Sequence, residues 1–364
     1  MWEARLSGRN ISAKTCSSAP RDFVVAPVIF GYQQPLLGYN AYRWEKAVED
    51  QQLEAARKEH DYQLHLIAEE ATRRFFRLVC AEGMCDMFER NKATADTLYA
   101  IAQEKASIAM VTLAELRSLE LQRLNAANAL LNARNEEELA RESLMAYLRV
   151  DAHSLLPGRR LTVPRETRSL DMTDEEALQL ARANYPALQH RQAALTEARH
   201  QQEKARREAG VKVGVDLNVG MQQMGGTFAE AYRWPQFYML GAVTVSVPIL
   251  DHGAGKKGYA AAQAWKAREE LALKEEERAL DEEVRTTLEN LRSHQQLLQH
   301  TAEAVTMADE VFQLTADNYA NGLCDINTYS LAQSRRDNAY NQHLSALANY
   351  WTTYYHLLTL TQHE

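Results

Sequence analysis

Two pairs of residues in this chain have side chains that could bind a metal ion. Cys80 and Cys85 could offer thiolates to zinc, and His60 and His65 could offer imidazoles. The cysteines are five residues apart, which is neither the i,i+4 spacing of a helix face nor part of a zinc motif with a second ligand pair. The histidines lie on a polar helical stretch, which favours a solvated surface. We therefore expect no metal site.

A third group resembles a phosphate-binding loop. Gly253-Ala-Gly255 is followed by Gly258, and Lys256 and Lys257 lie between them. No serine or threonine follows these lysines, although a P-loop needs that hydroxyl to hold magnesium. We interpret the segment as a hinge between a strand and a helix. Because no catalytic constellation accompanies it, the sequence predicts a protein that is not an enzyme and binds no cofactor.

Composition excludes two further classes of protein. Lys and Arg are outnumbered 41 to 49 by Asp and Glu, and the net charge of -8 argues against a nucleic-acid partner. Charged residues make up 25% of the chain, and no window reaches the 18 or so apolar residues of a membrane helix. Any membrane contact must therefore be made by another element.

The elements that position these residues occur twice. Sliding Pro35–Leu148 by 213 positions lays it without a gap on Pro248–Thr361, and 16 of the 114 pairs are identical. Both copies place a short apolar strand and a proline before two long helices with polar surfaces. The chain is therefore predicted to be a duplicated unit. The identical pairs include Glu69/Glu282, Glu70/Glu283, Asp96/Asp309, Arg123/Arg336, Asn125/Asn338 and Ala126/Ala339.

Apolar and polar residues alternate strictly over twelve positions before the second copy. This pattern predicts a strand, and Phe237–Val247 predicts its antiparallel partner. Strands of eleven or twelve residues match those of an outer-membrane barrel with an apolar face toward lipid. An amphipathic hairpin on a soluble core explains the same pattern. The predicted lipid-facing residues are Val211, Val213, Val215, Leu217, Val219 and Met221.

Two helical hairpins are predicted, one in each copy. The stretch from about Gly253 to Tyr319 lacks proline and predicts a helix of roughly 100 Å. Within it, Val284, Leu291, Leu298, Val305, Phe312 and Tyr319 recur every seventh residue, as in a coiled coil. The chain turns within Tyr319–Asp325 and returns as a second helix. In the first copy, a helix opens after Gly38, turns at Lys105–Val111 and returns from Leu113.

The order of these segments resembles the TolC-like outer-membrane efflux protein family. The resemblance lies in the strand followed by Pro248-Ile-Leu-Asp-His-Gly-Ala-Gly255, the long helix, Tyr319-Ala-Asn-Gly-Leu323, and a return helix with Leu331-Ala-Gln333. The segment from Met172 to Pro186 also resembles the opening of a repeat in that family. The similarity covers the chain from about Val24 onward.

The resemblance implies a mainly α fold with short antiparallel barrel strands, in which long helical hairpins continue the barrel as a tunnel. Three identical protomers would form the duct. It would lie in the outer-membrane lipid, extend into the periplasm and conduct small molecules passively. Its partners would be a periplasmic adaptor and, indirectly, an inner-membrane transporter. Two alternatives stay open: a type I protein secretion duct with the same shape, and a soluble coiled-coil scaffold.

The resemblance also implies where the partner binds and where the tunnel narrows. The two far turns would form a periplasmic tip that meets the adaptor. The family narrows its tunnel with aspartates whose positions here hold Thr328 and Leu331, so Asp325 is the nearest carboxylate for a lumen gate. The tip residues are Ser107, Ile108, Ala109, Met110, Asn321, Gly322 and Leu323.

The repeat divides the chain into four segments. Residues 1–22 are expected to be the remnant of a first strand and loop, 23–150 the first repeat, 151–172 a linker, and 173–364 the second repeat. The second repeat opens with a helix at about Thr173–Ala209, whose first-copy counterpart would fall before residue 1. Trp2–Gly8 shows little strand pattern, and no signal peptide opens the chain. We therefore expect an N-terminally truncated copy with three convincing strands, which leaves barrel closure in doubt.

Overall fold

A computed structural model describes residues 3–5, 23–37, 41–108, 111–150, 161, 172–225, 236–247 and 251–362. The strands in this part are β1 (Glu3–Arg5), β2 (Phe23–Leu37), β3 (Lys212–Gly225) and β4 (Gln236–Ser246). The helices are α1 (Ala41–Ser107), α2 (Leu113–Leu148), α3 (Asp174–Asn184), α4 (Pro186–Glu208), α5 (Ala254–Ala320) and α6 (Ile326–Thr361). None of these helices has an apolar stretch that could cross a membrane.

The two predicted helical hairpins are present, and their boundaries obey the offset of the repeat. Helices α1 and α5 each have 67 residues, and α2 and α6 each have 36. When the first and last residues of α1 and α2 are moved by 213 positions, they coincide with the first and last residues of α5 and α6. Both hairpins therefore have one length and one plan.

The helix caps repeat as well. Thr112 caps the N-terminus of α2 in a capping box with Glu115, and Asp325 caps α6 at the corresponding position. At the other end, Arg149 and Gln362 both have left-handed backbones, with φ of 53° and 49°. The cap residues differ in type between the copies, but each satisfies backbone groups that a helix end leaves open.

The predicted helix at Thr173–Ala209 is two helices rather than one. Helix α3 begins after the Thr173 capping box and ends at Tyr185, whose ψ of 118° is extended. Pro186 causes the break, because its ring disfavours a helical conformation at the preceding residue. Helix α4 then begins at Pro186, where the missing N–H is not needed.

The strands form one antiparallel sheet in the order β1-β2-β3-β4. The prediction of only three convincing strands is wrong for this sheet, because Glu3–Arg5 pairs with Ile29–Gly31 of β2. Moved by 213 positions, Glu3–Arg5 falls on Asp216–Asn218 in the middle of β3. Three residues are too few to show an alternating pattern, and pairing with β2 defines the strand instead.

The chain forms two compact units, and each includes parts of both repeats. The first is Met1–Ala55 with Leu188–Glu276 and holds the sheet, α4 and the first parts of α1 and α5. In this unit the Trp44 ring stacks on His200 with centroids 5.7 Å apart and joins α1 to α4. Burial lowers the pKa of His200, which suits an imidazole stacked on an apolar ring.

The second unit is Ala56–Ala187 with Glu277–Glu364, and it holds the rest of the hairpins with α3. Its core follows the predicted heptads of α5: Val284, Leu291, Leu298 and Phe312 are buried. Ion pairs from Arg182 to Asp281 and from Arg292 to Asp174 attach α3 to α5. In the first hairpin, α1 and α2 share the buried residues Leu78, Ala81, Ala140 and Leu144.

Candidate partner-binding tips and strand face

The turn between α5 and α6 is centred on Gly322, which has φ of 72°. Its N–H donates to the Tyr319 carbonyl at 3.0 Å, and the Leu323 N–H donates to the Asn318 carbonyl at 2.8 Å. These two hydrogen bonds are those of a Schellman motif, whose left-handed residue is usually glycine. The turn leaves Asn321 exposed and Leu323 75% exposed. This tip therefore presents an aliphatic side chain to solvent.

The turn between α1 and α2 presents aliphatic side chains too. The Ser107 hydroxyl donates to the Glu104 carbonyl at 2.6 Å and so gives a hydrogen-bond partner to a carbonyl in the last turn of α1. After it, Ile108 is 65% exposed, and Leu113 at the start of α2 is 71% exposed. The remaining predicted tip residues, Ala109 and Met110, lie outside the described residues.

The proposed gate residue Asp325 has a local partner in the isolated chain. Its carboxylate accepts from the Thr328 hydroxyl at 2.5 Å and from the Thr328 N–H at 3.0 Å. These bonds, with one from the Asn327 amide, hold the pKa of Asp325 below its usual range. Asp325 is thus an N-cap with a persistent negative charge, and that charge stays at the tip. Thr328 and Leu331, at the family gate positions, are both exposed.

Aromatic rings support the second tip from behind. The Tyr329 ring lies 5.4 Å from the ring of Phe312 and 5.3 Å from that of Tyr319, measured between centroids. Leu98 of α1 packs against the same cluster. Burial raises the pKa of both tyrosines, so they stay neutral donors at physiological pH. The cluster therefore supports the turn by side-chain packing.

A polar network that the sequence analysis missed joins α1 to α6 near this cluster. The Arg336 guanidinium lies 4.0 Å over the Phe312 ring and donates to the Asn91 amide oxygen at 2.5 Å. Arg336 also pairs with Asp337 at 2.9 Å, and Asn91 donates to Asp337 at 2.6 Å. The one sequence signal for this network was that positions 123 and 336, which correspond in the repeat, both hold arginine. It could not indicate Asn91, which is 245 residues away.

The predicted lipid-facing residues share one face of the sheet. In the β3–β4 register, Val213, Val215, Val219 and Met221 of β3 lie opposite Val245, Val243, Met239 and Phe237 of β4. Opposed residues of an antiparallel pair point to the same side. The four β4 side chains are 60–69% exposed, and Phe30 of β2 continues the band beside Val219. Val211 precedes β3 and is 50% exposed. Leu217 pairs with Gly241 in the same row.

The opposite face of the sheet is mostly polar or small, although Ile29, Tyr238 and Leu240 also lie on it. The Thr244 hydroxyl donates to Asp216 at 3.3 Å across β3 and β4. Beside them, a Cβ on Gly31 would lie 3.2 Å from the Asn218 amide oxygen, so a small residue suits this site. One face of the sheet is therefore predominantly apolar, and the other carries most of the polar and small residues.

The glycine segment Gly253–Gly258 leads into the first turns of α5, and Gly253 has a φ of 78°. Asp251 accepts from the N–H groups of Gly253 at 2.9 Å and Gly255 at 3.0 Å, and these bonds lower its pKa. The backbone N–H groups of Gly253 and Gly255, which could otherwise face a phosphate, are therefore already bonded to Asp251. A Cβ on Gly255 would lie 3.0 Å from the Ala209 Cβ, so glycine permits close approach of the end of α4.

The metal-ligand candidates of the sequence analysis have other surroundings. His60 Nδ1 lies 3.1 Å from its neighbour Asp61 on an exposed face. Burial raises the pKa of both Cys80 and Cys85 to about 11, so both thiols stay protonated at physiological pH. Among the described residues, no group of three or more His, Cys, Asp or Glu side chains could hold a metal ion.

Solved channel structures resemble this fold over nearly the whole chain. The CmeC outer membrane channel of Campylobacter jejuni is 16% identical with a TM-score of 0.79, and the alignment covers 99% of this chain and 77% of CmeC. The outer membrane protein VceC of Vibrio cholerae is 12% identical with a TM-score of 0.77, and the alignment covers 99% of this chain and 85% of VceC. The open MtrE outer membrane channel of Neisseria gonorrhoeae is 15% identical with a TM-score of 0.70, and the alignment covers 94% of this chain and 80% of MtrE. These likenesses confirm the predicted fold class of long helical hairpins with a few antiparallel strands.

The sequence itself is similar to one family. No curated protein sequence matches the chain. The model of the outer membrane efflux protein family matches residues 177–361, just over half of the chain, and this agrees with the resemblance seen in its motifs. The duplicated hairpins, the amphipathic sheet and this match together assign the protein: the chain belongs to the outer membrane efflux protein family.

Proposed function

We propose that this chain is the outer-membrane exit duct of a tripartite efflux pump. Three copies form a passive conduit for small molecules through the outer membrane and the periplasm. A periplasmic adaptor binds the tips, and an inner-membrane transporter supplies the energy. The duct itself makes and breaks no covalent bonds.

The observation that carries the proposal is the presence of two unlike exposed surfaces on one chain. The sheet has an apolar band whose β4 residues are 60–69% exposed, which suits contact with lipid. Each hairpin ends in a turn with a bare aliphatic side chain, Ile108 or Leu323, which suits contact with another protein. A soluble scaffold accounts for the hairpins but gives no reason for the apolar band.

The strand face can be tested with two neighbouring residues that point to opposite sides. Val243→Lys places a charge in the apolar band, where a lysine at the bilayer centre costs about 2–4 kcal/mol. Thr244→Lys, on the polar face, is the matched control. We expect the Thr244→Lys protein in the outer-membrane fraction and conducting in planar bilayers, and Val243→Lys depleted from both. Recovery of the unaltered chain wholly in the soluble fraction would overturn the duct.

The tips can be tested separately from membrane insertion. Leu323→Glu and Ile108→Glu place a carboxylate on each exposed tip residue, whereas Leu271→Glu places one at a 68% exposed position of α5 as a control. With the pump and adaptor of the same organism present, we expect ethidium efflux to fall with either tip variant and to persist with Leu271→Glu. Undiminished efflux in both tip variants would remove the turns from the adaptor site.

A further inference from the structure

Three helices meet the sheet at one of its ends. Strand β2 leads into α1, α4 leads into β3, and β4 is followed by α5. The Trp44 ring of α1 stacks on His200 of α4, and a Cβ on Gly255 of α5 would lie 3.0 Å from the Ala209 Cβ at the end of α4. Helix α4 therefore contacts both α1 and α5, just as β3 pairs with both β2 and β4. We call this end of the sheet the helix boundary.

The apolar band of the sheet begins at the helix boundary. Val211 directly before β3 and Val247 directly after β4 are both exposed. Lys212 pairs with Ser246, so the two strands meet the boundary at the same level. From Val211 to Met221 the band measures about 33 Å along the strand, or about 25 Å in height for a strand tilted by about 40°. This height matches the apolar band of outer-membrane strands, so the boundary falls at the depth of lipid headgroups.

Exposed aromatic rings lie at both ends of the band. Tyr42 in the first turn of α1 is 55% exposed at the helix boundary. Phe237 at the start of β4 is 68% exposed, and it pairs with Met221 at the opposite end of the band. Aromatic side chains flank the apolar band of membrane strands at both lipid–water interfaces. The rings therefore indicate the same headgroup depth for the boundary as the height of the band does.

Four basic side chains lie on the helix side of this boundary. Arg206 and Arg207 belong to the last turn of α4, and Lys256 and Lys257 belong to the first turn of α5. All four are exposed. Because the end of α4 touches the start of α5, the four residues surround one junction. We call them the basic cluster.

The acidic residues of the junction lie on a different surface from the basic cluster. Glu208 and Asp251 line a cavity of about 270 Å³ between α4 and α5, together with alanines and glycines. In the described part of the chain, none of the four basic residues lines this cavity. One further carboxylate, Glu203, pairs with Arg207 at 2.6 Å and lies 3.9 Å from Arg206. The two lysines of the cluster are therefore its strongest candidates for an external anion.

The charge of this junction is opposite to that of the whole chain. Segments 204–212 and 251–258 hold six lysines and arginines against two acidic residues, whereas the chain has a net charge of -8. The repeat adds a second basic position, because Lys256 corresponds to Arg43 near the start of α1. A local excess of positive charge beside an apolar band favours an anionic partner at that depth.

We propose that the basic cluster binds the phosphate groups of anionic phospholipids in the leaflet at the helix boundary. Phosphate oxygens accept charge-assisted hydrogen bonds from lysine and arginine, and these long side chains extend to headgroup depth from the helix ends. Each lysine or arginine near an anionic leaflet strengthens binding by about fivefold. The inference rests on the proposed function in one respect, that the apolar band contacts lipid, and it adds the class of lipid.

Lipid titration of the detergent-purified protein tests the cluster. Native mass spectrometry measures the binding of dioctanoyl phosphatidylglycerol and of dioctanoyl phosphatidylcholine, whose quaternary ammonium cancels the phosphate charge. We expect a preference for phosphatidylglycerol that falls by about 25-fold in Lys256→Gln/Lys257→Gln, at about fivefold for each lysine. The matched control is Lys274→Gln/Arg278→Gln, which removes two charges from exposed positions of α5 about 25 Å or more from the cluster. The control should keep the preference.

Inorganic phosphate distinguishes a lipid headgroup from a free phosphate ion. A lipid also places acyl chains on the apolar band, so we expect phosphatidylglycerol to raise the temperature of unfolding and inorganic phosphate at the same concentration to leave it unchanged. Equal stabilisation by the two would mean a site for free phosphate and would overturn the assignment to lipid. High salt should weaken the binding of phosphatidylglycerol, because it screens exposed charges.

The outcomes separate this inference from the duct itself. An unchanged preference in Lys256→Gln/Lys257→Gln, or an equal loss in the control variant, overturns the cluster and leaves the duct standing. Recovery of the unaltered chain wholly in the soluble fraction overturns both. Glutamine is a good helix former, so the variants should fold, and circular dichroism checks this. Arg206→Gln tests the α4 side of the junction separately, with an expected loss of about fivefold.

Discussion

The two helical hairpins have the same lengths, corresponding caps and the same arginine-on-ring contact, but their outer faces differ. Leu344 of the second hairpin is covered by α1, whereas Leu131, its counterpart in the first, is 68% exposed. The covered face carries Arg336 and Asp337, and the open face carries Leu124. The comparison teaches that a duplicated chain can bury one copy of a matching residue and leave the other exposed.

The largest difference between the hairpins is expected for leucine truncation. Leu344→Ala removes a buried side chain and leaves a cavity, so we expect a loss of about 2–4 kcal/mol in the free energy of unfolding. Leu131→Ala should change that free energy by less than about 0.5 kcal/mol in the dissociated chain. Urea unfolding followed by circular dichroism measures both. Equal losses would mean that α2 is already covered within one chain.

A smaller difference is expected for the two arginines. Arg336→Met leaves Asn91 and Asp337 without their charged partner, and we expect a loss of about 2 kcal/mol. Arg123→Met removes only the contact with the Tyr99 ring, which is worth about 0.5–1 kcal/mol. Thermal unfolding of the two variants checks the order. Adding Asp337→Leu to Arg336→Met should restore part of the loss, since no partly buried carboxylate then lacks a cationic partner.

Substitution of the N-cap residues at the two tips should lower stability by more similar amounts. Thr112→Ala removes the capping box of α2 and should cost about 1 kcal/mol. Asp325→Ala should also lower the midpoint of thermal unfolding, whereas Asp325→Asn should not, because an amide oxygen can accept the same N–H bond. The Asn variant therefore separates the cap from the charge. If Asp325 also acts at a lumen gate, cation selectivity in planar bilayers should fall in Asp325→Asn, and unchanged selectivity would leave only the cap.

The smallest effect is expected at His356, whose counterpart in the first hairpin is Ser143. The two ring nitrogens of His356 lie 3.3 Å from Glu69 of α1 and 3.4 Å from Glu283 of α5. Its hydrogen bond with Glu69 raises the pKa of His356 above the usual 6.5. Burial alone would raise the pKa of Glu69, but bonds from His356 and Thr359 more than offset it and lower that pKa below 4.5.

The two shifts define a pH window for this contact. The contribution of His356 is complete below about pH 6.5 and is lost as the pH rises through the raised pKa, whereas that of Glu69 is lost as the pH falls through the lowered one. His356→Gln should flatten the loss of stability above pH 6.5, by about 0.5 kcal/mol because the pair is partly exposed. Arg73, which also pairs with Glu69, keeps the effect small. An unchanged pH profile in His356→Gln would remove this bridge from the comparison.

Local patterns in the sequence predicted most of the fold. The predicted strand Val211–Met221 begins one residue before β3 and ends four residues before β3 ends. The predicted turns lie between the two helices of each hairpin. The tip residues could be named because a glycine ends a helix for local reasons. The break at Pro186 also had a local signal, since a proline restricts the residue before it, and the prediction of one helix gave that signal too little weight.

Other features could not be predicted from neighbouring residues. Strand β1 has three residues and exists through its pairing with β2. Arg336 meets Asn91, and His356 meets Glu69, across 245 and 287 residues of sequence. No periodicity in one segment encodes which side chain of a distant helix will lie opposite.

The sequence by itself determined the duplication, the approximate lengths and ends of the four hairpin helices and the apolar face of the sheet. These depend on hydrogen bonds and side-chain periods within a few residues, and so they repeat wherever the pattern repeats. Only the tertiary structure decided which of the two matching leucines is buried. The chain brings α6 onto its own α1, whereas no element in the described part of the chain buries Leu131 of α2, so identical residues meet different surroundings.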